Sequence, residues 1–88
     1  SFAEHKALNN YYDNILELTD SFTEKYFGAN KRVEFVIPES RNEESIDHMK
    51  RMAKLIEAER GNYSSDLQNI MDEMLGLVHE TMYLLTLS

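Results

Sequence analysis

Hydrophobic and polar positions in the first third of the chain recur with the period of an α-helix. The apolar stripe advances in steps of three and four, through His5, Leu8, Tyr12, Ile15, Thr19, Phe22 and Tyr26. Further apolar residues widen this stripe, so contacts on two sides of the helix are expected: Ala7, Tyr11, Leu18 and Phe27. Ser1 and Glu4 have the spacing of a capping box, and Gly28 can end a helix in the left-handed conformation. The pattern predicts helix 1 over about residues 2–27.

A different pattern follows helix 1. Residues 33–37 alternate β-branched and aromatic side chains with a charged one, and Pro38 closes the segment. A single strand cannot build a sheet, so residues 29–39 are interpreted as an extended crossover along the bundle. A crossover of this length permits helix 2 to run parallel to helix 1.

Helical periodicity returns in the second half of the chain. Ser40 and Glu43 are spaced as a capping box for helix 2, predicted over about residues 41–60 and ended by Gly61. Helix 3 is predicted over about residues 64–86, with Ser65 and Gln68 in capping spacing. A short turn at Gly61 makes helices 2 and 3 an antiparallel hairpin. Helix 3 has two adjacent apolar stripes, which predicts that it is the most buried helix.

Composition narrows the class of protein. The 88 residues form a single all-α domain, 1–88, without cysteine for disulfides or thiolate metal sites. A formal charge of −7 opposes direct nucleic-acid binding, which depends on Lys and Arg neutralising phosphates. No apolar run approaches the ~18 residues that span a bilayer, so no membrane association is expected.

Candidate chemistry is concentrated on helix 1. Asp20 and Glu24 are one turn apart, a spacing at which two carboxylates can hold one cation. His5 precedes Asp20 by about 22 Å of helix, so it cannot share a metal with that pair in one chain. Two antiparallel copies of helix 1, related by a two-fold axis near Tyr12 and Asp13, would bring these groups together. The alternative is that the carboxylates only solvate the helix.

Helix 1 resembles the second helix of the Dps-like ferritins, in which an aromatic residue, a histidine and a D-x-x-x-E pair follow at fixed spacing. Here these are Phe2, His5, Asp20 and Glu24. The opening SFAEHKALN, the Tyr-Tyr-Asp sequence and the final long helix are similar to a ferritin-like family of tailed bacteriophages, itself of unassigned function.

The resemblance implies a ferritin-like bundle whose first helix is missing from this chain and supplied by upstream sequence or by a partner. It also implies a homo-oligomer formed through helix 1, with His5 of one subunit and Asp20 and Glu24 of its mate binding iron for oxidation by peroxide or oxygen. The chain departs from the family at Asn9, where an acidic ligand is often found. A histidine on the preceding helix and a lysine-rich DNA-binding tail are also missing.

Two further histidines, His48 and His79, are expected at the surface or at an interface, because their acidic neighbours do not converge on a common site. The leading hypothesis is a phage-encoded, ferritin-like iron protein of the bacterial cytoplasm. The alternative is a non-catalytic structural or interaction module, such as a virion component, that retains the bundle.

Overall fold

The computed structural model describes residues 1–29 and 44–87. These residues form α1 (Phe2–Ala29), α2 (Ser45–Glu59) and α3 (Ser65–Thr86), with a 3-10 turn at Arg60–Asn62 between α2 and α3. The predicted all-α class is confirmed, because the described ranges contain no strand. The predicted crossover over residues 29–39 and the Ser40 cap lie almost wholly outside them. No helix in the described ranges is long and apolar enough to cross a membrane.

The two ends of the molecule show how the helices run. At one end, Ser45 at the start of α2 lies beside Glu4 at the start of α1, with the hydroxyl 3.5 Å from the carboxylate. At the other end, Tyr63 in the turn after α2 lies against Phe22 near the end of α1, with ring centroids 5.2 Å apart. Helices α1 and α2 are therefore parallel, and α3 returns antiparallel to both.

Helix α3 is the central element. It packs against both α1 and α2, whereas no Cα of α1 lies within 8 Å of a Cα of α2. Among the described residues it contributes more buried side chains than either other helix, namely Leu67, Ile70, Met71, Val78 and Thr81. The buried cluster draws on all three helices and consists of Tyr11, Met49, Ala53, Ile56, Met71 and Val78. Thr81 is also buried, and its hydroxyl donates to the carbonyl of Leu77 at 2.8 Å.

The predicted apolar stripe of α1 is wrong at two positions. His5 and Tyr12 are exposed, whereas Ala7 and Tyr11, which were expected only to widen the stripe, are the buried residues of α1. Leu8, Ile15 and Phe22 of the predicted stripe do pack against the core, but only partly buried. Steps of three and four can follow either edge of a helix face, and only the position of α3 selects the edge that is covered.

Two predicted helix ends also differ. The cap at Ser1 forms, because its hydroxyl accepts the backbone N–H of Glu4 at 3.1 Å. Gly28, in contrast, does not adopt the left-handed conformation, and α1 continues through Ala29. Glycine permits that conformation but does not impose it. Helix α2 is described from Ser45, with Glu44 as its N-cap; residues 41–43, where it was predicted to begin, are outside the described ranges.

The connection between α2 and α3 is stabilised by side-chain hydrogen bonds and not by a glycine in the left-handed conformation. Gly61 has no positive φ. The Gln68 amide donates to the carbonyls of Arg60 and Tyr63, at 3.1 and 3.0 Å, so Gln68 does not complete the capping box predicted with Ser65. The N-cap position is one residue earlier, at Ser64, whose side chain makes no capping hydrogen bond and donates instead to the Asp66 carboxylate at 2.6 Å. Burial, followed by the nearby Glu59 and Tyr26, raises the pKa of Tyr63.

Arg60 and Asp72 form a bidentate ion pair across the same turn. The guanidinium donates from Nε to Oδ1 at 2.7 Å and from Nη2 to Oδ2 at 3.0 Å. The hydrogen bond from Arg60 and its charge lower the pKa of the Asp72 carboxyl. Both side chains are largely solvated, so this pair fixes the geometry of the hairpin more than it stabilises the fold.

Truncating Met49, which is 0% exposed, should destabilise the protein strongly. Met49→Ala removes buried thioether and methylene groups and leaves a cavity, at a cost of about 2–5 kcal/mol. Glu57→Ala, an exposed change on the same helix, should cost less than about 0.5 kcal/mol. Urea unfolding followed by circular dichroism measures both. Equal losses would show that Met49 does not lie in the core.

The Arg60–Asp72 pair predicts a specific acid sensitivity. The pKa of Asp72 in the folded state lies below its ordinary value of 3.8. The ionised carboxylate therefore contributes to the stability of the fold above pH 3.8, and this contribution is lost as the pH falls through the folded-state pKa. Asp72→Asn should therefore lower the melting temperature at pH 7, and the difference from wild type should shrink below pH 3.8. Arg60→Gln should behave alike, and the double variant should lose little more. If the difference in melting temperature between wild type and Asp72→Asn did not change with pH, the Arg60–Asp72 ion pair would not be its cause.

Candidate metal centre

The three predicted metal ligands lie on the solvent side of α1. His5, Asp20 and Glu24 are all exposed. They share this side with Phe2, Tyr12 and Leu16, and the six residues are called the outer face of α1 below. Ala7 and Tyr11 lie on the opposite, buried side of the same helix. Within residues 1–29 and 44–87, no other helix covers the outer face.

Within one chain the ligands do not converge. Asp20 and Glu24 are adjacent along the helix, one turn apart, but His5 lies about 22 Å away along the axis. In the described residues no group of three or more His, Asp or Glu side chains is arranged to hold a metal ion. A centre that uses all three residues therefore requires a second chain.

The boundary between the core and the outer face runs between two consecutive tyrosines. Tyr11 is buried, whereas Tyr12 is 44% exposed, and their rings meet edge to face with centroids 5.4 Å apart. Burial, and to a smaller extent the neighbouring Tyr12, raise the pKa of Tyr11 to about 12. The exposed ring of Tyr12 lies midway between the levels of His5 and Asp20.

The exposed apolar residues of the outer face were missed in part from sequence. Leu16 is 61% exposed and Phe2 is 83% exposed. Tyr12 and Leu16 are one turn apart, so they form a continuous apolar patch between the histidine and the carboxylates. Leu16 belongs to no predicted stripe. An apolar residue that is out of phase with the core stripe, four positions from an aromatic one, was the available signal.

The other two histidines do not join this centre. His79 is exposed on α3. His48 was predicted at the surface or an interface, but it is buried on α2, 9% exposed. Its Nδ1 lies 3.2 Å from Nη2 of Arg51, one turn further along α2. The imidazole is covered because α2 presents a wider buried arc than its apolar stripe indicates.

A second surface feature is a groove of about 680 Å³ between α1 and α3. It is lined by the half-buried side chains of Leu18 and Leu77 and by the exposed residues Glu17, Glu73, Gly76 and Glu80. On the α1 side the groove is lined by Asn10 and Asn14, whose amides are linked by a 3.1 Å hydrogen bond. The groove was not predicted from sequence, because it exists only where two helices meet.

Comparison with known proteins places the chain in a family. Residues 1–85 match the model described as "Family of unknown function (DUF5856)". The chain therefore belongs to this family. Neither the comparison with curated proteins nor the comparison with solved structures found a match.

The two consecutive tyrosines should be distinguishable by titration. Tyr11, with a pKa of about 12, should ionise late in an ultraviolet titration near 295 nm, and Tyr11→Phe should remove that late step. Because the pKa of Tyr11 in the folded state is raised above 10.0, burial of its neutral phenol contributes fully to stability below pH 10.0. That contribution is lost as the pH rises toward 12. Tyr12→Phe is the matched control and should leave the late step in place. If Tyr12→Phe removed the late step and Tyr11→Phe did not, then Tyr12 rather than Tyr11 would be the buried tyrosine.

Proposed function

We propose that this protein is a ferritin-like iron-binding protein whose α1 helices pair across a two-fold axis. His5 of one chain and Asp20 and Glu24 of the other would form each of two equivalent sites. Fe(II) is the substrate in this proposal: it binds there and is oxidised to Fe(III) by peroxide or oxygen. The observation that carries the proposal is that all three residues are exposed on one face, around a central apolar patch.

The topology supports a ferritin-like bundle. Such bundles have one long crossover, which makes the second and third of their four helices parallel. In this chain α1 and α2 are parallel and separated, and α3 packs against both. That arrangement corresponds to three corners of a four-helix bundle, with α1 and α2 on the diagonal. The fourth corner lies between α1 and α2, opposite α3.

The outer face supports the two-fold pairing. Midway between His5 and Asp20 lie Tyr12 and Asp13, so an antiparallel pair centred there opposes His5 to Asp20 of the other chain. Tyr12 and Leu16 lie near the same centre and are exposed. Pairing would bury these apolar side chains, which supplies a driving force for association.

The donor set suits iron. An imidazole nitrogen and two carboxylates are ligands that iron accepts, and no thiolate competes because the chain has no cysteine. A net charge of −7 raises the local concentration of cations at the surface. Asn9 is a neutral amide one turn from His5, so each site would have three protein ligands from these positions.

A second candidate function is a non-catalytic structural module, for example a virion component of a bacteriophage. The exposure of Phe2, Tyr12 and Leu16 favours it, because such a patch serves assembly whether or not metal binds. The two candidates share the α1 pairing and differ in iron binding.

Mixing two inactive variants tests the proposed site. His5→Ala alone and Asp20→Ala/Glu24→Ala alone should each abolish saturable Fe(II) binding. Subunit exchange between the two variants should restore one of the two Fe(II) sites in each mixed dimer. That site combines the intact His5 of one chain with the intact Asp20 and Glu24 of the other. Anaerobic isothermal titration measures the stoichiometry, and native mass spectrometry counts the mixed dimers. Asp47→Ala, an exposed carboxylate on α2, is the control and should bind like wild type.

The outcomes separate the two candidate functions. Leu16→Lys should break the dimer and lose iron binding while keeping the helical circular dichroism spectrum. A dimer that depends on Leu16 but shows no saturable Fe(II) binding supports the structural module. Binding that survives His5→Ala, or mixed dimers that bind nothing, would rule out the shared site.

A further inference from the structure

Pairing two α1 helices brings two acidic surfaces together. Acidic residues outnumber lysines on α1, which carries Glu4, Asp13, Glu17, Asp20 and Glu24 but only Lys6 and Lys25. A two-fold axis between Tyr12 and Asp13 also brings the two Asp13 carboxylates toward each other, and like charges at short range oppose association. A metal-free pair is therefore stabilised by any positive charge that lies beside its carboxylates.

Lys6, Asp20 and Glu24 are charged side chains that have no ion pair in one chain. All three are exposed. Within residues 1–29 and 44–87, none of them takes part in a salt bridge or a side-chain hydrogen bond. Asp20 and Glu24 are one turn apart, so each carboxylate also repels the charge of the other. A cation supplied by a second chain would relieve that repulsion.

The two lysines of α1 lie on different sides of the helix. Lys25 lies near the start of α3: the hydrogen bond from Ser64 lowers the pKa of the Asp66 carboxyl, and the charge of Lys25 contributes to that lowering. At 3.6 residues per turn, the side chains of Lys6 and Lys25 point about 100° apart. The charge of Lys25 therefore acts on α3, whereas Lys6 points away from it.

The period of the α-helix puts Lys6 on the side of the acidic pair. Lys6 and Glu24 are about five full turns apart at 3.6 residues per turn, so their side chains leave the helix in the same direction. Asp20 lies within about 40° of that direction. Antiparallel pairing about the same two-fold axis opposes Lys6 to Thr19 of the other chain, directly beside Asp20. The axis repeats this contact, so each lysine meets the acidic pair of the other chain.

We infer that Lys6 neutralises the acidic pair when no metal is bound: in the metal-free pair of α1 helices, its ammonium binds Asp20 and Glu24 of the other chain. A lysine suits this role because its charge is compact and its four-carbon stem is flexible. The ammonium leaves the carboxylates when Fe(II) occupies the site, because both cations use the same oxygens. Lys6 thus stabilises association without iron and competes with iron for the site. The inference rests on the proposed function, since it uses the same α1 pairing.

Exchanging charges between two chains tests the contact without metal. Lys6→Glu places like charges opposite Asp20 and Glu24 in its own dimer, and Asp20→Lys/Glu24→Lys places like charges opposite Lys6. A mixed dimer of the two variants has two favourable contacts, one with the original charges and one with the exchanged charges. Native mass spectrometry of the metal-free mixture should therefore find mixed dimers well above their statistical share of about half. A mixed share at or below the statistical one would overturn the inference.

Lys6→Met separates the two effects of the lysine. Without metal and at low salt, the dimer should be weakened about fivefold, because two ion pairs are lost. The wild-type dimer should weaken as salt rises, and the variant dimer should respond less. Where both proteins are fully paired, the variant should bind Fe(II) about twofold more tightly, because no ammonium competes. Sedimentation equilibrium measures the first two effects, and anaerobic isothermal titration measures the third.

Two further variants control for charge and position. Lys6→Arg keeps the positive charge and should preserve the metal-free dimer. Lys25→Met removes the other lysine of the same helix and should change neither pairing nor Fe(II) affinity. If Lys25→Met weakened the dimer as much as Lys6→Met, net charge and not the position of Lys6 would be the cause, and the inference would be wrong.

The results also distinguish this inference from the proposed function. If the wild-type chain forms no dimer through α1, both fail. If it forms the dimer and binds Fe(II), and Lys6→Met does so with unchanged affinities, this inference alone is overturned. A preference for mixed dimers in a chain that binds no Fe(II) would support the lysine contact and remove the iron site.

Discussion

The two-sided burial of α3 is the constraint that organises this molecule. Met71 and Val78 are almost completely removed from solvent, and so is the hydroxyl-bearing Thr81, whose polar group is satisfied within the helix. One helix cannot cover so wide an apolar arc, so α1 and α2 occupy different sides of α3, and no Cα of one lies within 8 Å of a Cα of the other. Among the described residues only one side of α1 is covered by other helices, and the candidate metal ligands lie on its exposed side.

Placing the ligands on a free helix face has a chemical consequence. A rigid helix holds Asp20 and Glu24 one turn apart but keeps His5 at a distance, so a shared ion requires a second helix. Metal binding and association would then be coupled: each ion bound between two chains stabilises the pair by mass action. The apolar patch around Tyr12 and Leu16 would supply the part of the association that does not depend on metal. The same face could therefore serve assembly in the absence of iron.

The turn between α2 and α3 depends both on local sequence and on contacts between residues far apart in the chain. A turn near Gly61 is expected from sequence because glycine interrupts the helical pattern, and a turn occurs there. What holds it is the Gln68 amide on two carbonyls and the Arg60–Asp72 ion pair. Capping rules consider residues three positions apart, so they cannot identify partners that are eight and twelve residues apart. For the same reason the acidic groove, made by side chains of α1 and α3, has no signature in either helix alone.

Local sequence patterns by themselves determined the helical class, the wide apolar arc of α3 and the cap at Ser1, because these depend on residues within a few turns of one another. The spacing of His5, Asp20 and Glu24 likewise showed that one helix cannot join them. Tertiary structure was required to show that Tyr11 is buried and Tyr12 exposed, since both fit a helical stripe and only the direction of α3 distinguishes them. It was also required for the parallel course of α1 and α2, which a crossover permits but does not impose. Burial of His48 depended on the same packing, because solvent is excluded by neighbours that lie far away in the chain.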